Sequence, residues 1–203
     1  MKKLLIPLLV LSCSTAFSQV DTRYYRLESD SIRLATDHEF RNKDHSPLSP
    51  SDRKHFEGLR YFAYDTDYLV VAKFERTPDG RPFQMQTTTE RLPRYVKYGV
   101  LHFTLEGKEL RLSVYQNLDL IQRAGYENYL FIPFNDSTNG FESYGGGRYL
   151  DIQGPLGDTV IIDFNRAYNP YCAYNSRYSC PIPPQENNLP LRIEAGVLSW
   201  KEH

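Results

Sequence analysis

Four carboxylates, Asp136, Glu142, Asp163 and Glu186, fall in polar loops or at the ends of apolar runs, where the rim of a pocket would lie. Two carboxyl groups held ~5 to 9 Å apart can run acid–base hydrolysis of a glycoside, which makes Asp136, Asp163 and Glu186 the candidate catalytic groups. Carboxylates at turns also serve as caps for backbone donors, so the same residues have a purely local reading. In YGGGRYL, residues 144–150, consecutive glycines bring backbone N–H groups together and Arg148 adds a planar fork of donors, the makings of an anion site. No Lys-Ser/Thr follows and the next residues read as a strand. A bulge or a close approach of two backbones therefore competes with the anion reading, although such a bend would also aim Arg148 into a pocket.

Other reactive side chains give less. NDSTNG, residues 135–140, alternates oxygen ligands like a calcium loop, but its twelfth position is Gly146 where a bidentate Glu belongs, and Asn139-Gly140 is a favoured hairpin pair. There is no G-x-S-x-G elbow, and His38, His45, His55 and His102 are scattered. Cys172 and Cys180 fit no common zinc spacing, and no histidine lies near them in sequence. Outside the cytoplasm such a pair is expected to bond, and a loop of this size would gain roughly 2.5 kcal/mol from the bridge. No metal site is predicted, and no cofactor is indicated.

The compartment is read from the other end of the chain. MKKLLIPLLVLSCSTAFSQ has two lysines, an apolar run over residues 4–11 and then small polar residues, the layout of a secretory signal. The run is far short of the ~20 residues of a spanning helix. Two processing routes stand open: cleavage after Ser18, or a lipobox at residues 10–13 with Cys13 acylated. Both predict an extracytoplasmic protein, with a lipid anchor at Cys13 as its one route to a membrane. Loss of residues 1–18 removes Lys2 and Lys3 and moves the formal net charge from −1 to −3. A near-neutral chain without Lys/Arg blocks carries no footprint for nucleic acid.

The elements that must position these groups change period along the chain. Residues 29–43 and 49–58 read as two short helices, the second capped by Ser49 with Pro50 at its first position. From residue 61 the period is two. DYLVVAKFER and RPFQMQTTTE flank the turn Thr77-Pro78-Asp79-Gly80, and residues 100–115 form a second hairpin about Glu106-Gly107-Lys108, with Leu101, Phe103 and Leu105 on one face and His102 on the other. YLFIPF, RYLDIQ and TVIIDF add three strands, and LPLRIEAG is expected to close the sheet. About eight strands without intervening helices predict a mainly β fold. It is a single antiparallel barrel or sandwich over residues 19–203, with short N-terminal helices packed on it.

Residues 130–152 and 160–197 also resemble a known family. The phrases F-x-D-x-T-x-G, Y-G-x-G-R-Y, D-F-N-x-A-Y-N-P and C-P-x-P-P-x-E-N stand in order in a pattern similar to the bacterial and archaeal domain of unknown function 1684, with looser likeness back to residue 41. The resemblance brings no activity with it. It implies that Asp136, Thr138, Tyr144, Arg148, Asp163, Asn165, Asn169, Cys172, Cys180, Glu186 and Asn187 belong to a shared pattern. Amides, phenols and charges are costly to bury without partners. Residues 165–190, stiffened by Pro170, Pro181, Pro183 and Pro184, must then either satisfy themselves over the mouth of the fold or leave donors and acceptors facing a cavity. Three readings follow. One is a pocket for a small polar or anionic ligand between segments 135–150 and 163–188, with Arg148 as anion anchor, Asn165, Asn169 and Asn187 orienting the ligand, and Tyr144 and Tyr168 as walls. The second is a hydrolase using Asp136, Asp163 or Glu186. The third is an envelope interaction protein whose polar segment is architectural.

Overall fold

A computed structural model describes residues 20–201 of the chain, so the signal reading over 1–18, Cys13 and His203 lie outside the described residues. Helix α1 spans Thr22–Arg41 and starts well before the predicted 29–43. Asp21 caps it by accepting the Tyr24 N–H at 3.1 Å. Its first turns bury almost nothing, which is why no apolar stripe announces them. Helix α2, Pro50–Lys54, is capped as expected, with Ser49 Oγ accepting from the Asp52 N–H at 3.1 Å and Pro50 opening the first turn.

Seven strands follow: β1 (Leu69–Arg76), β2 (Phe83–Gln84), β3 (Arg94–Leu105), β4 (Lys108–Asn117), β5 (Tyr129–Phe134), β6 (Arg148–Gln153) and β7 (Thr159–Asp163). The antiparallel sheet runs β6-β5-β4-β3-β1-β7, with β2 against β3. The β3–β4 hairpin turns at Glu106 and Gly107, both at positive φ, the pair of angles a two-residue turn needs to match strand twist. The predicted pairing of DYLVVAKFER with RPFQMQTTTE does not form. β1 pairs with β3 and β7 instead. Residues 86–88 turn away to hold the C-terminal segment, where Ile182 N–H donates to Gln86 O at 2.8 Å and Thr88 N–H to Cys180 O at 2.9 Å.

The sheet curls into a half-barrel, which is the extent to which the predicted barrel or sandwich is realised. Its edge strands β6 and β7 do not pair with each other. Residues 164–168 leave the end of β7 and cross to β6, where Tyr149 and Tyr168 exchange backbone hydrogen bonds at 2.9 and 3.0 Å. Inside the curl, Leu101, Leu112, Leu130, Ile132, Ile162 and Phe164 form the main core. LPLRIEAG alternates as a strand should, with Leu189, Leu191, Ile193 and Ala195 buried in that core, yet it joins no ladder.

The partners that LPLRIEAG uses explain the difference. Arg148, 0% exposed, donates through Nη2 to Ile193 O at 2.8 Å and through Nη1 to Ala195 O, while the same Nη2 pairs with Asp136 Oδ2 at 2.8 Å. Asp136 Oδ1 accepts the Ile193 N–H at 3.1 Å and both donors of Thr138. A buried ion pair thus supplies the hydrogen bonds a neighbouring strand would have given. Asn187 does the same between β4 and β5. Pro133 stands opposite Ser113 and lacks the N–H the ladder needs. The Asn187 amide fills the gap, accepting from Ser113 N–H at 2.7 Å and donating to Ser113 O at 2.9 Å and Pro133 O at 2.7 Å.

Both devices are testable by equilibrium urea unfolding. Arg148→Met strands a buried carboxylate and should cost about 3–5 kcal/mol; a loss below ~1 kcal/mol would show that the ion pair is dispensable. Asn187→Ala leaves three buried backbone groups without partners and should cost about 3 kcal/mol, with an unchanged midpoint counting against the splice.

Candidate functional site

Strand parity creates a second face. Leu150 and Ile152 of β6 enter the main core, so Tyr149 and Asp151 point the other way. On β5, Leu130, Ile132 and Phe134 go inward and Tyr129 and Phe131 outward, with Phe131 directly opposite Asp151 in register. This outward face, α1 and residues 165–181 enclose a cavity of about 640 Å³. Nine tyrosines line it, more than half of the sixteen in the chain, so its walls are rings that carry a polar tip.

Asp151 is the chemical centre of that hollow. Tyr129 donates to its Oδ1 at 2.7 Å, and the Tyr168 hydroxyl lies 2.9 Å from both carboxylate oxygens. Around them, Phe131 packs edge-on against Tyr149 at 4.7 Å, and Tyr149 against Tyr168 at 5.7 Å. The carboxylate is exposed, yet it opens onto a concavity ringed by protein. That enclosure pushes its pKa up, while the two tyrosine hydroxyls and the charge of Arg166 hold it back. Burial and the nearby Asp151 charge push the Tyr129 and Tyr168 hydroxyls far up, so both stay protonated as donors. On the α1 side, Glu39 accepts from Tyr171 at 3.0 Å, Arg33 lies 4.4 Å over the Tyr61 ring and Arg166 pairs with Glu28 at 3.2 Å.

The residues singled out in the sequence divide. Asn165, Tyr168 and Asn169 line the cavity. Of these, Asn165 also spans the backbone of Asp65, accepting its N–H at 2.9 Å and donating to its carbonyl at 2.7 Å, and Asn169 donates to Leu198 O at 2.9 Å. Arg148 and Asn187 do not reach it. The anion anchor expected at Arg148 is replaced by the sealed ion pair with Asp136, and the orienting role of Asn187 by the splice between β4 and β5. Tyr144 is also absent from the walls; its hydroxyl sits 3.7 Å from Cys172 Sγ.

None of the three acids put forward for catalysis lines the cavity. Asp136 is sealed with Arg148. Asp163 is buried, accepts from Asn165 N–H and Nδ2, both at 3.0 Å, and has its pKa raised by that burial. Glu186 is exposed on another face; partial burial opposes its ionisation, but Lys97 at 2.6 Å and Tyr115 at 2.5 Å outweigh that and keep its pKa low.

Cys172 and Cys180 are free thiols, so the expected bridge is not made. Hydrogen bonds hold the segment instead: Cys172 N–H donates to Cys180 Sγ at 3.2 Å and Cys180 N–H to Thr88 Oγ1 at 3.1 Å. Hydrogen bonding from Cys180 and Tyr144 pushes the Cys172 thiol down, and its proximity pushes Cys180 up. Among the described residues no group of three or more His, Cys, Asp or Glu is placed to hold a metal ion.

Residues 54–198 match the family model described as Protein of unknown function (DUF1684). The chain belongs to this family. Among solved structures it is similar to the solution NMR structure of the uncharacterized protein from gene locus rrnAC0354 of Haloarcula marismortui. The two are 34% identical with a TM-score of 0.71, over 90% of this chain and 98% of that one. A search of curated proteins gives no match. All seven strands and the 165–181 wall fall within the DUF1684 match, so Tyr129, Asp151 and Tyr168 do as well, whereas α1 precedes it.

Asp151 escaped the sequence reading because an acid flanked by Leu150 and Ile152 on a strand looks like an ordinary solvent-facing residue. The usable signal was on its neighbour. YLFIPF carries rings or branched chains at every position but the proline, which requires packing on both faces of β5.

A carbon-detected titration of the Asp151 carboxyl should place its midpoint above the usual 3.8, and Tyr168→Phe should raise it further by removing a donor to the charged form. An acid whose folded pKa is raised supports the fold below about pH 3.8 and loses that support as pH climbs through its folded midpoint. Asp151→Asn should therefore flatten part of the fall in stability over that window. A midpoint at or below 3.8 would contradict the enclosure argued for this carboxyl.

Proposed function

We propose that this protein is an exported binding module that holds a small polar molecule in the tyrosine-walled cavity. The observation that carries the reading is Asp151. A carboxylate raised in pKa by its surroundings is left open to a hollow of ligand size, oriented by two phenols, although strand parity would allow any apolar side chain at that position. Export is supported by the charged, apolar and small-residue layout of residues 1–18, with Cys13 as the alternative acylation point. Among the described residues no helix is long and apolar enough to cross a membrane, and Cys13 is the proposed point for a lipid anchor.

The walls match the chemistry. Tyrosine offers large apolar contact area at little conformational cost and a polar tip for orientation, a composition suited to a ligand with both an organic body and a polar group. Proteins that fix a ligand on one charged group inside apolar walls commonly bury most of its surface, and 640 Å³ is within the range of such sites.

The test is a thermal-shift panel of small amines, polyols, amino acids and organic acids against the wild type and Thr36→Trp. Thr36 is a half-buried α1 residue on the cavity wall, and its replacement fills the hollow from the helix side. At a hundredfold excess over Kd, a bound compound should raise the wild-type melting temperature by roughly 5–10 °C, and the variant should not respond. The reading fails if no class of compound shifts the wild type, or if Thr36→Trp responds equally.

A further inference from the structure

The polar groups placed directly around Asp151 present acceptors to the cavity, and the unpartnered donors of the walls, Ser29 Oγ and Arg33 Nε, stand on α1. Tyr129 and Tyr168 have each directed their one hydroxyl hydrogen at the carboxylate, so what they show the hollow is a lone pair. Tyr171 has likewise given its hydrogen to Glu39 on the opposite wall. The nearest fixed cations are occupied elsewhere. Arg166 is paired with Glu28, and Arg33, on the α1 wall, donates through Nη2 to Asn165 O at 3.3 Å and rests on the Tyr61 ring, with its Nε left without a partner. The surfaces between these acceptors are aromatic, with Phe131, Tyr149 and Tyr168 meeting edge to face beside the carboxylate. Ring faces and a carboxylate share one preference, a positive charge spread over a compact group.

We propose that the cavity recognises an organic ammonium ion, held by Asp151 and boxed by the rings of Phe131, Tyr149 and Tyr168. This rests on the cavity-binding reading above and sharpens it to a ligand class. An anion would face two carboxylates and three phenol oxygens with no hydrogen to offer. A neutral polyol would satisfy the acceptors but gain little from the ring faces of Phe131, Tyr149 and Tyr168, which attract positive charge. An ammonium head carrying alkyl groups uses both. Its donors or its diffuse charge meet the acceptors, and its methyl or methylene groups meet the rings.

Choline and its uncharged isostere 3,3-dimethylbutan-1-ol separate charge from shape, and both can be titrated into the full-length protein by calorimetry or by following side-chain NMR shifts of Tyr129 and Tyr168. Choline should bind at least about tenfold more tightly than the isostere, and Asp151→Asn should cost at least the same factor. Equal affinity for the two molecules, or unchanged choline binding by Asp151→Asn, would overturn the ammonium assignment while leaving the cavity as a binding site. Should Asp151→Asn fail to fold, the choline and isostere comparison on the wild type decides alone. Absence of choline binding alongside a Thr36→Trp-sensitive response to an acid or a polyol would also overturn the ammonium class without touching the cavity reading. If no compound gives such a response, the cavity reading itself falls.

Discussion

The interior of this protein depends on one constraint: every backbone N–H and C=O taken away from water must find a partner, and much of the chain after β7 is not in a ladder. The pair formed by Arg148 and Asp136 meets that constraint where it is most severe. Its members are wholly buried, and between them they bind Ile193 N–H, Ile193 O and Ala195 O. A buried ion pair is weak evidence for net stability, because desolvation offsets most of the attraction. Its function here is positional. It lays the alternating run Leu189, Leu191, Ile193 and Ala195 onto the concave core without a partner strand, and that run leads to Val197, whose N–H closes on Ala167 O at 2.9 Å.

The cavity is a consequence of the same arrangement. Because the sheet stops at a half-barrel, the edge of β6 is open for Tyr168 to pair with Tyr149, and this pairing carries the Tyr168 hydroxyl to Asp151. Close approach of the two chain segments is also visible at Gly147. Its φ of +86° suits glycine, and a Cβ there would lie 2.7 Å from both Phe134 O and Pro183 Cγ. Gly147, the last glycine before β6, is thus the packing contact that lets the proline-rich segment sit against the sheet. No phosphate cradle is needed to account for it.

Strands were legible wherever a period of two was uninterrupted and one face was clearly apolar. The facing halves of β3 and β4 follow that rule, β5 and β7 were read from short apolar runs, and the turn between β3 and β4 was marked by Gly107, which tolerates positive φ. RPFQMQTTTE misled because its alternation was real but its partner was not β1. Thr87 and Thr88 face Pro181 and Cys180, a contact between distant segments that no local pattern encodes. LPLRIEAG misled for the converse reason, since burial alternated correctly while Ile193 and Ala195 bond side chains and Leu189, Leu191 and Gly196 bond loop backbone instead of a neighbouring strand. Of the residues that composition singled out, Asn165, Tyr168 and Asn169 line the cavity, whereas the charged ones do not. Arg148 attracted the anion reading because a charged residue beside glycines looks functional, whereas the interior used it as a donor for carbonyls. Asp151 was passed over because its environment is set by residues far away in sequence, Tyr129 and Tyr168.

The division of labour within residues 165–187 follows from what each side chain can offer. An asparagine amide presents a donor and an acceptor side by side, as a peptide unit does, so Asn165 can pair with both backbone groups of Asp65, and Asn187 can stand in for the N–H that Pro133 lacks. A tyrosine hydroxyl has one hydrogen and cannot replace a peptide in that way. Its ring is too large to insert between strands and its tip needs a polar partner, so the tyrosines of the same stretch are driven to a surface where rings pack and hydroxyls can reach an acid. The asparagines therefore fix the segment to the fold and the tyrosines wall what the fold leaves open. An irregular, amide-rich and phenol-rich chain is what such a double task requires, because a regular strand in this place would satisfy its own backbone and have no reason to enclose a cavity.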